Sequence, residues 1–90
     1  MLRRDYPEID LHGMFAEEAR DQLERAIAAA IKEGHTNIRI IHGKGTGILR
    51  REVQDVLRCH PKVLTWQSAS PFDGGEGATV AALEVKRKPR

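Results

Sequence analysis

Three short segments of this 90-residue chain hold side chains suited to chemistry. They are Asp10-Leu11-His12-Gly13, then His42-Gly43-Lys44-Gly45-Thr46-Gly47 with Arg50 and Arg51 just beyond, and Asp73-Gly74-Gly75-Glu76-Gly77-Ala78-Thr79. Two imidazoles, a carboxylate, a lysine and two arginines are the parts that phosphodiester cleavage requires. One group takes a proton from the attacking oxygen, a cation stabilises developing charge, and an acid serves the leaving oxygen. Histidine is the apt proton carrier near neutral pH. Asp10 and His12 stand two residues apart, which on a strand places both on one face and allows Asp10 to orient or charge-stabilise His12. Asp10, His12 and His42 are therefore the candidate catalytic residues.

A glycine-flanked lysine ahead of a helix suits an anion, because backbone approaches closely, N–H groups point outward and the helix terminus adds partial positive charge. Gly43, Lys44, Gly45, Thr46, Gly47, Arg50 and Arg51 are the candidate contacts to a phosphate backbone. Gly74, Gly75 and Gly77 join them as a second backbone cradle, with a plain turn as the equal alternative. Nucleotide cofactors do not fit. The pattern G-x-x-x-x-G-K-[ST] fails because Lys44 is followed by Gly45, and G-x-G-x-x-G fails because Ile48 stands where the third glycine belongs. A divalent metal, magnesium or manganese with Asp10 as a ligand, stays open, although one carboxylate beside histidines makes a poor magnesium cage.

The elements that must position these groups follow from periodicity. Glu8 to Leu11 reads as a brief strand. Ala19, Leu23, Ala26, Ile27, Ala30 and Ile31 fall on one face of a helix, with Gly34 as its stop. The pairs Arg20–Glu24 and Asp21–Arg25 lie one turn apart on the helix's wet side. Asn37 to His42, apolar on both faces around Arg39, predicts a central strand. A second helix begins after the glycine loop, with Thr46 as N-cap, a buried stripe of Leu49, Val53, Val56 and Leu57, and an end at Pro61. Val63 to Gln67 and Thr79 to Val85 complete the strands, with a loop from Ser68 to Ala78 between them. The order βαβαββ predicts a two-layer α/β sandwich with a mixed four-stranded sheet. Crossovers of the usual hand bring the ends of the first two strands to one sheet edge, so His12 and His42 are expected as neighbours.

Composition bounds the rest. Apolar residues make up 40% and charged residues 31%, the balance of one small globular domain, expected over 5–86 with basic tails at 1–4 and 87–90. Together with Lys86 those ends carry six of the 15 positive charges, leaving nine against 13 acids between them. The formal charge of +2 is thus made by the ends, and the overall charge alone argues little for nucleic acid. Cys59 stands alone, which excludes an intrachain disulfide and a cysteine-based zinc site. No stretch approaches the roughly 20 apolar residues of a membrane span, and an intracellular setting is expected.

The D-L-H-G opening, the H-G-K-G-T-G-x-L-R centre and the G-G-x-G-A-T segment resemble the small MutS-related, or Smr, domain, from about Ile9 to Leu83. That resemblance implies a fold like the C-terminal domain of bacterial translation initiation factor three. It also implies endonuclease activity: nicking of DNA and, in some members, cleavage of RNA. By position, Asp10 and His12 match the first family motif, and His42 to Gly47 with Arg50 match the second. Where many relatives have a Ser or Thr cap on the first helix, this chain has Met14 and Phe15. The family's place in bacterial MutS-like proteins, linked to suppression of recombination, implies a domain excised from a larger ATPase-containing protein, cytoplasmic and near the nucleoid. DNA is favoured over RNA only slightly, RNA or the ribosome is a further partner, and a non-catalytic binding module or an RNA endonuclease is the alternative.

Simpler roles attach to the remaining groups. His35 and His60 follow helices and read as solvated or capping residues. Arg51 and Arg58 read as solvated helix residues, whereas Arg50, one turn into the second helix, has better access to a bound phosphate. Trp66 reads as core, because a stacking sheet offers several aromatics and this chain has four.

Overall fold

The computed structural model describes residues 6–73 and 75–85; the expected basic tails and Gly74 lie outside them. Strand β1 spans Glu8–Asp10, helix α1 Ala16–Lys32, strand β2 Asn37–Ile41, helix α2 Ile48–Cys59, strand β3 Val63–Ser68 and strand β4 Ala78–Leu83. Single 3-10 turns at Pro71–Asp73 and Gly75–Gly77 occupy the β3–β4 connection. The sheet order is β1-β2-β4-β3. β1 runs parallel to β2, and β4 runs antiparallel to both β2 and β3. The expected βαβαββ sandwich is the observed one, and β2 is central.

This topology explains where the motifs meet. From β1 to β2 to β3 the chain advances in one direction across the sheet, so two crossovers of the same hand leave both helices on one face. The C-terminal ends of the three parallel strands and the N-terminal end of β4 then share one edge. Register agrees, with Ile9 opposite Ile40 and Ile40 opposite Thr79.

The core lies between sheet and helices. Ala19, Leu23, Ile27 and Ala30 of α1 and Val53, Val56 and Leu57 of α2 pack on Ile38, Ile40, Ala81 and Leu83, with Leu11 joining them. Each fully buried Leu, Ile or Val contributes roughly 1.5–3 kcal/mol. Trp66 packs partly buried against this cluster, in keeping with a core residue. Across the helices Arg20 pairs with Glu52 of α2, displacing the expected Arg20–Glu24 pair, while Asp21–Arg25 forms at 3.1 Å. Helix α1 ends as expected: Gly34 N–H donates to Ile31 O and His35 N–H to Ala30 O, the paired bonds of a glycine stop.

One cap differs from expectation. Thr46 does not cap α2; the N-cap is Gly47, at φ 89°, with no side-chain cap hydrogen bond. That left-handed conformation costs a side-chain-bearing residue about 1–2 kcal/mol and glycine almost nothing, so the loop turns into the helix one residue later than a threonine cap would place it.

Candidate functional site

Asp10 is the last residue of β1, and the chain turns immediately after it. His12 donates its backbone N–H to Asp10 Oδ1 at 3.0 Å, and its ring Nδ1 lies 2.6 Å from the same oxygen. Both side chains are exposed, 69% for His12 and 51% for Asp10. The hydrogen bond from the His12 ring, then that from its backbone, holds the Asp10 carboxyl below its ordinary value of 3.8. With the proton on Nδ1 facing a carboxylate, Nε2 is the acceptor nitrogen and stands open to solvent. The expected Asp10–His12 pairing is therefore present in the structure.

His42 sits differently. It follows β2 and is 4% exposed. Nδ1 lies 3.0 Å from Gly43 O, and Nε2 lies 2.9 Å from Thr79 Oγ1, itself 2% exposed. Burial first, and the nearby Arg50 charge, push the imidazole below its ordinary 6.5 against the opposing pull of the Gly43 carbonyl. The ring is neutral at pH 7, with Nδ1–H donating to Gly43 O and Nε2 accepting from the Thr79 hydroxyl. Both nitrogens are engaged. Its position ties β2, the glycine loop and β4 together, and the residue also lines the cleft described below. Thr79 closes the third segment but has no role assigned to it there; the alternation Thr79, Ala81, Leu83 puts it on the core face, beside the end of β2 that leads into His42.

The three motifs meet at this edge. His42 N–H and Gly43 N–H both donate to Gly77 O, at 3.0 and 2.9 Å. A Cβ on Gly43 would lie 3.5 Å from His12 Cβ, and one on Gly77 would lie 3.5 Å from Lys44 Cγ. Gly77 thus spends its carbonyl inside the protein, and Gly75 donates its N–H to Ser70 O at 2.9 Å, closing a turn. For these two glycines the turn reading describes the structure better than a cradle, and Gly74 lies outside the described residues.

A cleft of about 540 Å³ opens beside this junction. It is lined by His12, Phe15, His42, Lys44, Ile48 and Arg50, together with Gly43, Gly45, Thr46 and Gly47 of the glycine loop. The first turn of α2 closes with Arg51 N–H on Gly47 O at 3.0 Å, leaving the N–H groups of Ile48, Leu49 and Arg50 without a partner in the helix. No acidic residue stands in that turn. Adjacent positions on a helix point about 100° apart, and the two arginines part accordingly. Arg50 lines the cleft, while Arg51 lines an adjoining groove of about 350 Å³ with Thr46, Gly47, Ile48, Glu52 and Asp55. Arg51 therefore stands beside the glycine loop, as expected, but outside the cleft that His12 and His42 line. Among the described residues no group of three or more His, Cys, Asp or Glu side chains is placed to hold a metal ion. His35 lies 3.5 Å from Glu33, and His60, the C-cap of α2, accepts the Lys62 N–H on Nδ1.

Comparison with known proteins fits this picture. The family model described as the Smr domain matches residues 9–84. Endonuclease MutS2 of Thermomicrobium roseum is 48% identical over 84 residues, 93% of this chain and 11% of that protein. Endonuclease MutS2 of Thermus thermophilus is 40% identical over 81 residues, 90% of this chain and again 11% of the relative. The crystal structure of the Smr domain of Thermus thermophilus MutS2 superposes with a TM-score of 0.85 at 38% identity, covering 87% of this chain and 98% of that one. YdaL, a stand-alone small MutS-related protein from Escherichia coli, gives a TM-score of 0.82 at 32% identity, covering 86% of this chain and 63% of that one. The chain spans about a tenth of the length of the curated relatives it matches.

Proposed function

The chain belongs to the Smr domain family, and on that premise we propose that it is an endonuclease domain that cleaves or nicks nucleic-acid phosphodiester bonds with little sequence preference, DNA favoured. One observation carries the reading: His12, paired with Asp10, lines a cleft together with His42, Lys44, Thr46, Arg50 and the open N-terminus of α2. In this scheme the phosphate is held by Lys44, Arg50 and the free N–H groups, which neutralise charge building on the non-bridging oxygens. His12 Nε2 takes the proton of the attacking hydroxyl or water, and Asp10 stabilises the imidazolium formed. The bond from phosphorus to the leaving oxygen breaks, and that oxygen draws its proton from solvent or Lys44. His42 acts as a positioning residue that holds the loop.

The domain works within a larger, ATPase-containing protein in the bacterial cytoplasm, close to the nucleoid. Among the described residues no helix is long and apolar enough to cross a membrane. A divalent ion, magnesium or manganese, would find two donors in Asp10 and His12. RNA and the ribosome are further partners of the same phosphate-binding edge.

The test is cleavage of supercoiled plasmid and of matched DNA and RNA strands, with magnesium, with manganese and with chelator. His12→Ala is expected to lower the rate by 10²-fold or more, and equal rates for wild type and variant sink the proposed role of His12. RNA-only, chelator-resistant cleavage assigns the attack to the ribose hydroxyl. A second reading is favoured by the engagement of both His42 nitrogens, which leaves a single open imidazole: a module that binds nucleic acid or ribosomes and cuts nothing. Binding that falls steeply with salt, with no cleavage under any metal condition, selects it.

A further inference from the structure

The entrance of α1 holds a residue that neither helix stability nor the core explains. Phe15 is the N-cap, with φ −72° and ψ 155°, and makes no side-chain cap hydrogen bond. Its side chain is 85% exposed. Ser, Thr, Asp or Asn at this position would satisfy a free N–H of the first turn, so phenylalanine forgoes that stabilisation and also presents an aromatic ring to water. The ring lines the cleft. Ile48, 64% exposed, lines the same cleft from the start of α2. Phe15 stands three positions after His12, a distance of at most about 11 Å along the chain. An apolar platform thus stands next to the polar groups to which a phosphate is assigned, while Trp66 packs partly buried against the core and does not line the cleft.

We infer that Phe15, faced by Ile48, is a stacking platform for an unpaired nucleobase, and that the cleft takes a nucleotide whose base is out of the duplex. The inference rests on the phosphodiester reading of the same cleft and names its substrate class: single-stranded or locally unpaired strands, in preference to continuous duplex. Charge complementarity orients the occupant, with the phosphate toward Lys44 and Arg50 and the base toward Phe15. A paired base has its faces covered by its neighbours and cannot stack on a side chain, so the platform discriminates by strand state and tolerates any base.

The test is binding of a fluorescent oligothymidine strand and of a matched duplex to wild type, Phe15→Ser, Phe15→Trp and Phe72→Ser. Phe72 is 98% exposed but does not line the cleft. Phe15→Ser is expected to weaken single-strand binding about 5- to 140-fold while duplex binding changes less than twofold; Phe15→Trp retains affinity. Thermal unfolding separates this role from a structural one, since a serine cap raises Tm by a few degrees while affinity falls. A fall in Tm together with the loss of affinity shows that Phe15 holds the fold, and overturns the inference. So does an unchanged ratio of single-strand to duplex affinity, or an equal loss in Phe72→Ser. If wild type binds neither strand in a salt-sensitive way, the phosphodiester reading itself falls; if it binds both and Phe15→Ser leaves the ratio unmoved, only the base platform falls.

Discussion

Thr79→Val isolates the clasp that holds the glycine loop. Thr79 and His42 are 2% and 4% exposed, and their side chains meet at 2.9 Å. Because burial keeps the imidazole neutral and Gly43 O takes the Nδ1 proton, the threonine hydroxyl is the donor and Nε2 the acceptor. Valine keeps the shape and removes the donor, leaving a buried ring nitrogen that water does not readily reach. Leaving a buried acceptor unmatched costs about 1–3 kcal/mol. For a domain of this size each kcal/mol lowers Tm by roughly 4–8 °C, so Tm should fall by at least about 4 °C. The assay is thermal unfolding by circular dichroism at pH 7.5, paired with urea denaturation to show that the slope is unchanged. The loop should loosen as well, which hydrogen exchange reads as faster exchange at the Gly43 amide, bonded to Gly77 O at 2.9 Å. A Tm within 1 °C of wild type, with Gly43 exchange unchanged, refutes both the tautomer assignment and the clasp.

Other outcomes follow from the same geometry. His42 has a folded pKa below its ordinary 6.5, so the unfolded chain takes up its proton first. Stability from this site is therefore complete above about pH 6.5 and declines as pH falls from there toward the lowered folded value. Thermal unfolding across pH 8 to 5 should show that decline in wild type and a flatter profile in His42→Asn. Gly47→Ala meets open space but must hold a φ of 89°, so it should cost about 1 kcal/mol or more in urea unfolding and weaken phosphate binding at the start of α2. Arg50→Ala should weaken binding to any strand and lower the salt slope by about 1, whereas Arg51→Ala, in the groove with Glu52 and Asp55, should leave binding within twofold. Equal losses in the two variants count against the assignment of the cleft.

How much of this was legible in the sequence divides along a physical line. Elements and their edge were legible because they depend on local period and on the handedness of crossovers: the stripes of both helices, the central strand and the meeting of the three motifs all follow from short spacings. Even the parting of Arg50 from Arg51 is implicit in the stripe of Val53, Val56 and Leu57. Arg50 precedes Val53 by three residues and shares its side of the helix; Arg51 does not. What short spacings do not encode is the state of a side chain whose partner is distant along the chain. The two histidines look alike in the sequence, each after an apolar residue and each followed by glycine. His12 meets a carboxylate two residues away, a pairing that the strand period alone allows. His42 meets a hydroxyl 37 residues away, and only the antiparallel insertion of β4 between β2 and β3 brings that hydroxyl to it. That one strand makes the difference between an exposed imidazole and one enclosed in the fold, and it is why the proposed scheme gives proton transfer to His12 and loop positioning to His42.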